Sequence, residues 1–242
     1  MVMTRNIFFL GIALMVFSCG DPTEHATTDS VPPPLDSAAI RNIVANDTSN
    51  IRDTVFRTAL PPVFDGDIIM QNNNFPQSEL VHQLMGGKYN HVGLVFQRER
   101  DGLLMVLEML DTLHATPLTE FVDRGIDGHV CLLRLKNADK TLNEDKTKAL
   151  RDAAKGYRKK PFDPVLNWDD SGLYSSEMVW KVYNNAMRLT LCPTRKVKDF
   201  DISPEKQAEM KKTYKKNVSN ADEAVSIDDI YNSEKLQIVF EK

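Results

Sequence analysis

The chain is predicted to be an α+β domain built on an antiparallel sheet. Strand-like apolar runs crowd the middle of the sequence, at Asp67 to Gln71, His91 to Gln97, Leu103 to Leu110 and Val130 to Leu135. Two of them are joined by the short charged turn Arg98-Glu99-Arg100-Asp101-Gly102, a connection that only an antiparallel pair can use. Helical patterns flank these runs and do not alternate with them, which disfavours a doubly wound parallel sheet.

Each element has its own signal. Arg5 is the only charge among the first 18 residues, and the 11 residues from Ile7 to Phe17 are apolar but too short for a bilayer, which takes about 20. They read as the h-region of an export signal, and Val16-Phe17-Ser18-Cys19 resembles a bacterial lipobox in which Cys19 is lipidated. Residues 1–18 are therefore expected to be a lipoprotein signal peptide. Residues 19–62 form a tether, broken by Pro32-Pro33-Pro34, and then an N-terminal helical segment carrying Ile40, Ile43, Val44, Ile51 and Val55.

The compact domain spans residues 63–242. Its first strand, Asp67 to Gln71, precedes a helix at Ser78 to Met85 that Gly86-Gly87 ends. After the hairpin, Leu118 to Arg124 is a short helix stopped by Gly125, and Val130 to Leu135 is a nearly continuous apolar strand. Asn143 to Tyr157 is a helix with Leu150, Ala153 and Ala154 on one side. A loop follows, and then a helix from Ser175 to Met187 whose face of Met178, Val179, Val182 and Ala186 belongs to the core. A lysine-rich helix and a closing strand at Leu236 to Phe240 complete the chain.

Composition narrows the function. The 242 residues are 42% hydrophobic and 26% charged, with a net charge of -4 that becomes -5 once the signal is removed. No basic cluster stands over interleaved aromatics, so nucleic acid is not an expected partner. Three cysteines without a C-x-x-C pair cannot form a disulfide scaffold or a zinc ribbon, and His82, His114 and His129 lack ligand spacing. No metal or cofactor is expected, and membrane contact is expected through the lipid anchor only.

Three residues could carry chemistry. Strand alternation places His91, Gly93 and Val95 on one face, with Gly93 leaving room beside the imidazole. Glu108 interrupts an apolar run, so it is either buried with a partner or turned to solvent on an edge strand. If the loop is the four residues Arg98 to Asp101, His91 falls directly opposite Glu108; a two-residue Asp101-Gly102 turn puts Val95 there instead. Ser175 heads a helix, where it could be a nucleophile beside free N–H groups or simply the N-cap.

These residues sit in segments that form a pattern: Phe64-Asp65-Gly66-Asp67-Ile68-Ile69, Asn90-His91-Val92-Gly93-Leu94, Val106-Leu107-Glu108, Thr116-Pro117-Leu118, Lys160-Pro161-Phe162-Asp163, and Trp168 to Trp180. The pattern resembles the permuted papain-like amidases of the YaeF/YiiX group, relatives of the NlpC-type cell-wall amidases. The resemblance implies a permuted papain-like fold, an antiparallel sheet or small barrel with packed helices, and a catalytic set of Cys, His and carboxylate. His91 and Glu108 match the last two. Where the family motif reads Tyr-Cys-Ser-Glu, this chain has Tyr174-Ser175-Ser176-Glu177, so Ser175 stands in the nucleophile position. A thiolate forms readily beside a helix end and an imidazole, whereas a hydroxyl must lose its proton during attack.

Gln71 and Tyr174 are candidate oxyanion or substrate contacts. Two readings follow. One is a lipid-anchored hydrolase of amide or related acyl bonds in the bacterial cell envelope, acting on a small molecule, peptide or lipid. The other is a catalytically silent relative that holds a peptide or lipid in the retained cleft.

Overall fold

The computed structural model describes residues 60–242; the expected signal peptide, Cys19 and nearly all of the tether and N-terminal helical segment lie outside the described residues. The first described strand, β1 (Ile68–Gln71), is set by the turn before it. Gly66 takes a φ of +86°, which favours glycine, and the Asp67 carboxylate accepts the Phe64 N–H at 2.8 Å. Arg134 then clamps that carboxylate with two bonds of 2.7 Å. Asp67 thus fixes the entry to the sheet.

After β1 come α1 (Pro76–Met85), β2 (His91–Gln97), β3 (Leu104–Met109), β4 (Leu113–Pro117), α2 (Leu118–Asp123) and β5 (Val130–Leu135). The remainder is mainly helical: α3 (Ala138–Thr141), α4 (Glu144–Lys155), α5 (Ser175–Met187), α6 (Pro204–Tyr214) and α7 (Ile227–Tyr231), closed by the strand Leu236–Glu241. A separate pair of two-residue strands, Arg195–Lys196 with Glu223–Ala224, lies between these helices. The main sheet is six-stranded, in the order β4, β3, β2, β1, β5 and the closing strand, and every pairing is antiparallel. Among the described residues it stays open, with no barrel closure.

Two differences from the sequence reading are informative. β4 went unpredicted because Leu113-His114-Ala115-Thr116-Pro117 is mostly exposed or half-buried and shows no apolar alternation, as suits an edge strand ending in proline. α1 begins two residues earlier than its apolar pattern, because Pro76 occupies the first turn, where its missing N–H costs nothing.

The sheet separates two apolar layers. On one face Ile68, Met70, Val92, Leu94 and Phe96 pack with Met178, Val179, Val182 and Tyr183 of α5 and with Leu150 and Ala154 of α4. On the other, Ile69, Val95, Val106 and Leu132 pack with Leu118, Phe121 and Val122 of α2. A third cluster joins Leu80, Val81 and Leu84 of α1 to Val165, Leu166 and Tyr174. That cluster fixes α1 and the start of α5 together.

Candidate active site

His91 opens β2 and Glu108 lies near the end of β3, and both are buried. They are not directly opposite. The register pairs Gly93 with Glu108, because the loop is the four residues Glu99 to Gly102, with the Arg98 N–H donating to the Leu103 carbonyl at 2.8 Å. The expected register is therefore corrected by two positions, and the face is unchanged because side chains alternate with a period of two. His91 reaches diagonally across Gly93, and its Nε2 lies 2.7 Å from Glu108 Oε2.

Gly93 makes that diagonal possible. A Cβ at this position would lie 2.5 Å from Val106 Cγ1 and 2.8 Å from the Leu107 carbonyl oxygen. The two strands close on each other at the point where the imidazole passes.

Glu108 has further partners that the sequence did not single out for this role. The Thr116 hydroxyl, from β4, and the Arg124 guanidinium, just past α2, both donate to its Oε1. Burial alone would raise its pKa, but the His91 bond and charge, with Thr116 and Arg124, more than reverse that and hold it at about 2. Arg124 in turn sits over the Phe75 and Phe121 rings, at 5.1 and 5.8 Å, and Phe121 stacks on the imidazole at 5.8 Å. No motif or spacing marks Arg124; only the packing of α2 under the sheet brings it here.

An ionised carboxylate can only accept, so the Nε2 facing Glu108 carries a proton. In the neutral ring Nδ1 is then an acceptor, and it lies 3.1 Å from the Ser78 hydroxyl of α1. Asn90, the residue before His91, holds α1 in that place. It accepts the Asn73 N–H at 2.9 Å and donates its amide to the Asn73 carbonyl at 2.8 Å, while the Asn73 side chain accepts the Phe75 N–H at 3.1 Å.

Ser175 is the first residue of α5 and is buried, but the cap position falls on Tyr174, so its hydroxyl is not spent on capping. It makes no hydrogen bond to His91, whose two nitrogens are engaged by Glu108 and Ser78. Tyr174 is wholly enclosed, and its hydroxyl accepts the Val225 N–H at 3.1 Å, so it packs the core and offers no face to a substrate. Gln71 pairs with His91 across β1 and β2 and so shares its face. Its carboxamide is fully buried, and neither of its polar atoms has a partner among the described residues. Cys131 and Cys192 are buried thiols, each pushed up by burial to about 12.

Known proteins resemble this chain along most of its described length. The model of the C92 family, described as permuted papain-like amidase enzymes of the YaeF/YiiX type, matches residues 63–240. The chain belongs to the C92 family. YiiX from Escherichia coli K12, an uncharacterised protein, is 31% identical over 175 residues, covering 72% of this chain and 84% of that protein. The crystal structure of YiiX from Escherichia coli O157:H7, described as a metalloprotein, superposes with a TM-score of 0.65 at 30% identity, covering 74% of this chain and 97% of that one. The C92 family's description as permuted fits the order of elements here, with the strand of His91 ahead of the helix that begins at Ser175.

Proposed function

We propose that this C92 member is a lipid-anchored hydrolase that cleaves an amide or related acyl bond in the bacterial cell envelope. His91 acts as general base, Glu108 orients it, and Ser175 occupies the family's nucleophile position. The observation that carries the reading is the buried 2.7 Å contact between His91 Nε2 and Glu108, whose carboxylate is held ionised by its donors. A base with its far nitrogen fixed by a carboxylate is the device by which hydrolases take a proton from an attacking group. The envelope address is supported by the apolar stretch ending in Ser18-Cys19.

The Escherichia coli neighbour is described as a metalloprotein. Here Glu108 is committed to His91, Thr116 and Arg124, and a guanidinium on a carboxylate does not fit a cation ligand. Among the described residues no group of three or more His, Cys, Asp or Glu side chains is arranged to hold a metal ion.

The second reading, a silent module that binds a peptide or lipid acyl group, is favoured by one observation: the Ser175 hydroxyl makes no bond to the base. Treating Ser175→Cys with iodoacetamide, with and without His91→Ala, separates the two. A thiol at 175 that alkylates below pH 7 only when His91 is present supports the hydrolase site. A thiol as inert as Cys192, whatever stands at 91, removes position 175 as the attacking group and, where no other side chain reacts in a His91-dependent manner, supports the binding module.

A further inference from the structure

We infer that Ser78 is the hydroxyl activated by the His91–Glu108 pair, so that the chain carries a Ser78–His91–Glu108 relay and not one through position 175. The inference rests on the reading of His91 as base and Glu108 as its orienting group, and it changes only the attacking atom.

Four observations support it. The Ser78 Oγ to His91 Nδ1 distance of 3.1 Å and the Nε2 to Glu108 distance of 2.7 Å both lie within the reach of proton transfer. The protonation argued above leaves the Nδ1 lone pair facing this hydroxyl, which is the resting arrangement of an attacking serine and its base. Ser78 lies in the first turn of the ten-residue α1, whose positive end favours the charge that develops on the oxygen. Its place is fixed on both sides, by the Asn73–Asn90 bonds before the helix and by Leu80, Val81 and Leu84 within it.

Gln71 adds to these four. Its buried carboxamide has no partner, shares the face of His91, and lies against Gly125, where a Cβ would come within 2.9 Å of its Oε1. A buried amide without a bond is a costly arrangement that a bound acyl oxygen would relieve.

The chemistry balances. Ser78 Oγ adds to the acyl carbon while its proton passes to Nδ1. The bond from acyl carbon to nitrogen or oxygen then breaks as Nδ1 returns that proton to the departing amine or alcohol. Water cleaves the acyl ester on Ser78 by the same route, giving a carboxylic acid and the free hydroxyl.

The test treats the full-length protein with a fluorophosphonate, which phosphonylates activated serines, and maps the adduct by peptide mass spectrometry. Wild type should be labelled at Ser78, and His91→Ala should slow labelling by about 100-fold or more. Since Ser78→Ala removes a buried polar group, Ser78→Cys provides a second readout: its thiol should alkylate with iodoacetamide below pH 7 in a manner that depends on His91. An adduct at Ser175 that depends on His91 overturns the assignment to Ser78 and leaves the hydrolase reading standing. No adduct at either serine, together with an inert Ser78→Cys thiol, overturns both.

Discussion

Gly93 faces Glu108 across the β2–β3 ladder, and this pairing, two residues away from His91, is what lets the imidazole meet the carboxylate at a slant. A methyl group at position 93 would enter the space of Val106 Cγ1, 2.5 Å away, and of the Leu107 carbonyl, 2.8 Å away. The carbonyl belongs to the ladder and cannot step aside. Gly93→Ala is therefore expected to destabilise the fold by about 1–3 kcal/mol, as overpacking does, and to lengthen the His91–Glu108 contact. Urea unfolding gives the first quantity, and the imidazole nitrogen shifts report the second.

Glu108 gives stability an acid-sensitive component. Its folded pKa of about 2 lies below the ordinary 4.5, so its contribution is complete above about pH 4.5 and is lost as pH falls through 2. The shift corresponds to roughly 3 kcal/mol. In Glu108→Gln that component is absent. The gap in unfolding free energy between wild type and variant should be widest near neutrality and should narrow steadily from pH 4.5 toward 2; a gap independent of pH would show that the carboxylate's charge is not what the site uses.

Asn90 ties the strand of the base to the head of α1. Asn90→Ala removes the partners of the Asn73 N–H and carbonyl, both in a buried setting, and should cost about 2–4 kcal/mol. Its more specific effect should be on the Ser78–His91 contact, since the helix start loses its anchor. Fluorophosphonate labelling that falls further than the unfolded fraction predicts would locate the effect at the site; labelling that simply tracks the folded fraction would confine Asn90 to stability.

The proposed anchor is tested separately. Cells expressing the full chain should yield it in the membrane fraction, carrying an acylated N-terminal Cys19, and Cys19→Ala should move it to the soluble envelope fraction. A Cys19→Ala protein that remains as firmly membrane-bound after signal cleavage would assign attachment to something else.

The sequence by itself determined the α+β class and the strand and helix carrying the family motif, and both hairpin loops it allowed put His91 and Glu108 on one face. That last result held although the predicted register was two residues off, because side-chain direction repeats every two residues and each loop considered preserves the parity. What only the tertiary structure decided is the company those residues keep. Thr116 comes from an edge strand with no apolar pattern, Arg124 from the end of α2, and Ser78 from a helix whose own sequence shows only an ordinary amphipathic start. Their meeting depends on how Leu118, Phe121 and Val122 dock under the sheet and how Leu80, Val81 and Leu84 dock beside Tyr174. Local periodicity carries no record of such docking, because it is set by burial between segments far apart in the chain. For the same reason the sequence could offer Ser175 as a candidate nucleophile, while the hydroxyl that lies 3.1 Å from His91 Nδ1 is that of Ser78.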